Sequence, residues 1–292
     1  MEGRDSVVAS QFDPESTGKL IYRNYASTDF GIGLSVPWVP VHANRDITFT
    51  HVPGKNGDNA QDDGSYQNVV ETFTGIVFLD HNLYKNWFEL NTAITDWLSG
   101  GDYSLLSFSG YPDYVFEAIA QPITITPDSN NSENRATISM PFNCYPIMIR
   151  TDGIEWQRAP NGDVTNTEDL TARPDWHIKG SGNFYITIND EQYNFNDVDG
   201  EVYLDGETGN AYYYDSDGEL VSKNPDCEFP GLDSPELLCG RNTVSYGAQE
   251  NLKIDSDTSQ TTASDTGQTT GGVTVNYPDP IVEYKPNWKR VI

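Results

Sequence analysis

Short runs of alternating apolar and polar residues, each closed by a turn residue, make up most of this chain, and one stretch alone carries a different period. Ile47-Thr48-Phe49-Thr50-His51-Val52 alternates and stops at Pro53-Gly54. Tyr66, Val69-Val70, Thr72, Phe73 and Ile76 to Leu79 continue the pattern, as do Ile123 to Thr126 between two prolines. From Arg135, the residues Ala136, Ile138, Met140 and Phe142 fall on one side. Period two is the signature of a half-buried strand, so the chain is predicted to be mainly β. Prolines at the ends of several runs predict edges or strand ends, because proline cannot donate to a sheet ladder.

The exception runs from Asn82 to Leu98, where Leu83, Trp87, Leu90, Ile94, Trp97 and Leu98 recur at steps of three and four. That spacing predicts one helix, capped by Asp80 or Asn82 and ended by Gly100-Gly101. Its aromatic side is expected to pack on a sheet rather than to hold a ligand.

At 292 residues the chain has room for two domains. A boundary is expected after residue 150. Residues 151–172 are polar and carry Pro160 and Asn161-Gly162, which predicts a linker, although Trp156 could still pair locally. Strand patterns then resume at Trp176 to Gly180, Phe184 to Ile188, Glu201 to Asp205, Asn210 to Tyr214 and Thr243 to Tyr246. Asn189-Asp190, Asp199-Gly200 and Asp217-Gly218 stand between them as turn dipeptides. Residues 173–292 therefore read as a second β-sandwich. Asp255 to Gly272 is Ser, Thr, Asp, Gln and Gly with Ala263 alone apolar, and reads as a mobile loop inside a late hairpin, since strand patterns return at Val273-Thr274-Val275 and Ile281 to Tyr284.

Charge narrows the function. Lys and Arg number 17 against 44 Asp and Glu, a formal charge of −27. A nucleic-acid wrapper or a protein docking on anionic lipid needs a cationic face, so both classes are disfavoured. Aromatic residues at 12% exclude wholesale disorder. Cys144, Cys227 and Cys239 give neither a disulfide framework nor a metal spacing, which predicts synthesis in a reducing cytosol. Met1 to Ser10 lacks the apolar core of an export signal, and no run approaches the roughly 20 apolar residues of a membrane span.

Candidate chemistry is sparse. His42, His51, His81 and His177 are scattered without metal-ligand or triad company. Asp197-Val-Asp199-Gly-Glu201 and Asp215-Ser-Asp217-Gly-Glu219 repeat an acidic turn that calcium could favour. Framed as calcium loops, however, they put Phe195 and Tyr213 at the first position and Gly206 and Asn224 at the last, where acids are needed. Solvated hairpin turns are the simpler reading, and whether Asp197, Asp199, Asp215 and Asp217 hold calcium stays open. Acid pairs could in principle serve a glycosidase, but sequence does not supply their separation. Tyr212-Tyr213-Tyr214 could stack a sugar or pack in a core, with Tyr212 and Tyr214 on one face. The expectation is therefore no catalytic, cofactor or metal site, and no enzyme.

The order of motifs resembles the distal tail protein family of bacteriophages with long, non-contractile tails. Phe30-Gly-Ile-Gly-Leu-Ser35, the turn Val52-Pro-Gly-Lys-Asn-Gly57, Gly64 to Asn68, the Trp-bearing helix, Tyr103 to Leu106, Tyr111 to Tyr114 and Phe142-Asn-Cys-Tyr-Pro146 carry it in the first half. Pro174, Ile178 to Gly182, Ile186 to Asn189, Val202 to Asp205, Ala211-Tyr212, Phe229 to Leu232, Gly240-Arg-Asn242 and Tyr284 to Arg290 carry it more loosely in the second. Residues 255–272 depart from it, standing where the family has a short turn.

This resemblance implies a ring-forming β-sandwich over residues 1–150 with one helix and a protruding hairpin, or belt, then a galectin-like β-sandwich over 173–292. It implies a homo-hexamer at the tail tip of the virion, assembled in the host cytoplasm. That ring would join the tail tube protein to the tail-associated lysin or fibre hub and anchor receptor-binding proteins, with DNA passing through without specific binding and no membrane partner. A carbohydrate-binding module for host attachment is the alternative, and the chain is too short for the extra sugar-binding modules of larger relatives.

Overall fold

The computed structural model describes residues 17–131, 133–231, 234–249, 251–253, 273–275 and 278–292. The expectations for Met1 to Ser10 and for Asp255 to Gly272 fall outside the described residues. The chain divides into two compact units, Met1–Asp152 with Lys289–Ile292, and Gly153–Trp288. Both are antiparallel β-structures, and the first carries the one α-helix found among the described residues.

The first unit is organised by one long strand, Arg135–Arg150. Its Ala136, Ile138, Met140, Phe142, Cys144 and Met148 point inward and are buried. On one side it pairs first with Val69–Phe78 and then with Lys289–Val291. On the other it pairs first with Thr124–Pro127 and then with Tyr114–Ala120. The register breaks between Cys144 and Met148, where the strand turns from one layer to the next. The sheet runs outward from it through Ile32–Ser35 and Thr17–Gly18 at one end, and through Ser104–Phe108, Leu20–Tyr22 and Tyr25–Ala26 at the other.

Proline placement here differs from the edge rule. Pro141 and Pro146 lie within this central strand. Each stands where a neighbour changes. The Pro141 carbonyl accepts from Gln121, between the strands Tyr114–Ala120 and Thr124–Pro127, and the Pro146 carbonyl accepts from Ile292 at the end of the last strand. A missing N–H breaks no ladder bond at such a gap. Thr124–Pro127, by contrast, is an edge as expected.

The helix spans Trp87–Leu98, shorter at its start than the periodicity implied. Its cap is Asn86, whose side chain accepts the Glu89 N–H at 3.0 Å, while Asp80 caps the turn before it through the Asn82 N–H. Leu90, Ile94, Trp97 and Leu98 are buried. Trp97 stacks on Phe30 with centroids 4.7 Å apart and donates its indole N–H to the Tyr22 carbonyl. Beneath lie the rings of Phe73, Phe108, Phe116 and Phe142, each contributing about 1.5–3 kcal/mol by burial.

The second unit is organised by the hairpin Asp175–Ile188 and Glu191–Leu204. Asn189 and Asp190 both take positive φ, as a two-residue hairpin turn requires. Asp199-Gly200 is not a turn between strands, as the sequence suggested, but a kink within the second of them. Asp197 and Gly200 have φ of 50° and 88°, and the register slips opposite, between Gly182 and Phe184. There the hairpin passes from a layer completed by Ile281–Lys285 to one completed by Gly240–Ala248. Residues expected to form a linker belong to this unit: Gln157–Arg158 pairs with Ile281–Lys285, and Gly162–Asn166 pairs with Gly240–Ala248. Asn251–Lys253 and Val273–Val275 pair with each other.

Candidate interaction surface

Arg45–His51 and Asp58–Tyr66 form a two-stranded sheet that pairs with no other strand among the described residues. The turn at its tip follows from its sequence. Lys55 donates to the Val52 carbonyl at 3.1 Å, Pro53 fits the second turn position, and Gly54 takes the φ of 82° that the third demands. One face carries Ile47 and Phe49 opposite Asp62 and Ala60, bordered by the pairs Arg45–Asp62 at 2.7 Å and His51–Asp58 at 3.1 Å. Hydrogen bonds from the Gly64 N–H and then from Arg45 hold the Asp62 carboxyl below its ordinary value. The other face carries Asp46, Thr48 and Thr50. Phe49 is 65% exposed. A lone hairpin is marginal in water, and this one has an apolar stripe with nothing of its own unit over it.

Residues 36–44 lead from Ser35 into this hairpin and form a strap over the core. Trp38 anchors it, stacked on Phe73 at 4.9 Å and edge-on to Phe108 and Phe116. The Ala43 N–H donates to the Ile292 carbonyl, and the Val41 N–H to Glu71 Oε1 at 2.8 Å. Glu71 is buried, and burial pushes its carboxyl up to about 7. Val39 and Val41 point outward and are exposed.

On the second unit the residues facing away from the core form a ladder. His177 stacks on Tyr203 with centroids 3.9 Å apart; Trp156 meets both edge-on, and Tyr212 and Tyr214 extend the row. His177 Nε2 lies 2.8 Å from Glu201 and Nδ1 3.4 Å from Glu283, which also takes a bond from Lys179. The Lys179 bond holds the Glu283 carboxyl below its ordinary value. Burial, and then Tyr214, push the Tyr212 phenol up to about 12. Tyr212 and Tyr214 share a face as alternation required, and they spend that face on Tyr203 and on each other.

The acidic turns are not brought together as a site. Asp215 Oδ1 accepts the N–H groups of Asp217 and Glu219, both at 2.9 Å, so it closes its own turn. Asp197 and Asp199 lie in the kink of the long hairpin, where the Asp197 carbonyl accepts from Lys223. Among the described residues no three His, Cys, Asp or Glu side chains gather as a metal site. Burial pushes the Cys144 and Cys227 thiols up to about 12, far from a reactive thiolate. His81 bonds Asn134 at 2.9 Å, and His42 is exposed on the strap. No described helix is long and apolar enough to cross a membrane.

Sequence reading missed both Glu71 and the His177 ladder. The available signal was parity: Glu71 shares its face with Val69 and Phe73, while His177 and Tyr203 lie opposite to Trp176, Ile178, Val202 and Leu204.

No family model and no curated protein matches the chain. Among solved structures it is similar to one described as "Crystal Structure of SPP1 Dit (gp 19.1) Protein, a Paradigm of Hub Adsorption Apparatus in Gram-positive Infecting Phages". The chain has the fold of that Dit protein. The match covers 93% of this chain and 98% of that one, with a TM-score of 0.52 at 13% identity. Both units are therefore spanned, and the resemblance seen in the ordered motifs coincides with the similarity of fold.

Proposed function

We propose that this protein is a structural hub of a bacteriophage tail tip, working by shape and without catalysis. The first unit closes a homo-hexameric ring between the tail tube and the lysin or fibre hub. The second unit, galectin-like in this reading, holds receptor-binding proteins. The uncovered hairpin Arg45–Tyr66 carries the proposal. A head-to-tail ring needs two different patches on each copy, and a strand pair that pairs with no other described strand and exposes Ile47 and Phe49 is the form one such patch takes. The acidic composition fits a bore that repels passing DNA.

The test is the mass of the purified chain by light scattering, alone and with a tail partner, against a variant lacking residues 45–66. Ring-sized particles lost in that variant support the reading. A single copy under every condition, with no binding to tail partners, overturns it. The carbohydrate-module alternative finds less support, because the ladder's rings pack against one another and leave only Trp156 and Tyr214 at its exposed ends.

A further inference from the structure

Glu71 is 1% exposed, and its two oxygens are unlike: Oε1 accepts from Val41, and Oε2 is buried with no partner. A buried carboxylate with one oxygen unpaired is costly, whereas the protonated acid tolerates the site; the Val41 N–H favours the ionised form, and burial outweighs it. The cheapest way to hydrate an ionised Glu71 is to lift what covers it, and what it bonds is the strap. The strap is lightly held around that point. Val39 is 77% exposed, Pro37 and Pro40 donate no hydrogen bond, and beyond Trp38 the backbone anchors are the N–H groups of Val41 and Ala43 and the Asn44 carbonyl, which accepts from Gln67.

We propose that Glu71 is a proton-controlled clasp, closed on the Val41 N–H when protonated and released on ionisation, which sets how firmly residues 36–44 hold the root of the hairpin. The consequence for assembly rests on the hub reading above; the clasp itself does not. The groups facing Glu71 are few. From the strand Arg135–Arg150 it is the Cys144 thiol, which stays protonated across the relevant range. From the strap, residues 36–41 bring no ionisable side chain, and His42 follows them. Ile292 brings the carbonyl that holds Ala43.

With a closed-state value of about 7 and an ordinary value of 4.5 when open, the opening constant rises about tenfold between about pH 6 and about pH 8.5. Hydrogen exchange of residues 36–44, read by mass spectrometry and corrected for the intrinsic pH dependence of exchange, measures this on the full chain. The wild type should lose about tenfold in protection over that range, Glu71→Gln should lose none, and His42→Ala should behave as the wild type does. Unchanged wild-type protection, or a pH dependence that survives in Glu71→Gln, overturns the clasp. Light scattering on the same samples separates the two ideas. PH-dependent exchange in a chain that never associates keeps the clasp and removes the hub; association without pH-dependent exchange does the reverse.

Discussion

Glu71 reaches across to the strap and holds the Val41 N–H at 2.8 Å, one strand position from the exposed Val70 and two from the buried Phe73. An acid on the inward face of a central strand has a consequence for stability whatever the assembly does. Burial raises the folded value to about 7 from an ordinary 4.5, so between those values the folded chain binds more protons than the unfolded one. The contribution is therefore fully present below about pH 4.5 and lost as pH rises through about 7, to the extent of about 3 kcal/mol. Urea denaturation of wild type and Glu71→Gln at matched pH isolates it. The stability difference between them should move by about this amount between about pH 4.5 and 8, in favour of the variant at the higher pH. A constant difference would contradict the burial argument.

The pairing of Ile32–Ser35 with Val69–Phe78 demands glycine at residue 75. A Cβ there would fall on the Gly33 carbonyl oxygen and lie 2.7 Å from Leu34 Cα, both backbone atoms that cannot swing aside. Gly75→Ala should thus cost about 2–3 kcal/mol by overpacking, despite the alanine's better strand entropy. A midpoint of denaturation equal to that of the wild type would show that these strands separate more easily than their register implies.

The strand pattern was legible because each half-buried strand alternates, and Ala136 to Cys144 does so without a break. Three things hid the rest. Gly162–Asn166 buries Asn166, whose amide is satisfied by the Leu170 and Leu237 carbonyls, so an inward position read as polar and the segment as a linker. The kink at Asp197 to Gly200 uses the residues of a turn without reversing the chain, and so divided one strand in two. Trp38, flanked by prolines and outside any strand, gave no period at all, yet it fills the end of the first core. The hairpin could be read as strands, but its lack of a covering layer is a property of three dimensions.

On the second unit, the ladder should behave as a cooperative surface patch rather than as independent residues. His177→Ala removes a ring stacked at 3.9 Å and leaves the carboxylates of Glu201 and Glu283 facing each other without it. It should cost about 1–2 kcal/mol, and Tyr203→Ala somewhat more. The double variant should cost less than the two added, because each single change already breaks the same stack. Strict additivity in a double-mutant cycle would mean that the rings touch without coupling.

Self-association should tighten with salt. Each copy carries a formal −27, so bringing copies together at low ionic strength is opposed by charge that the hairpin's apolar stripe has to overcome. Raising salt from about 0.01 M to about 0.15 M shortens the screening length from about 30 Å to about 8 Å, which removes most of that repulsion while leaving the burial of Ile47 and Phe49 intact. Sedimentation at fixed protein concentration should show larger particles at the higher salt, and Phe49→Asp should abolish the gain while leaving the melting of the first unit unchanged. Association that weakens with salt would place ion pairs such as Arg45–Asp62, rather than the apolar face, at the contact between copies.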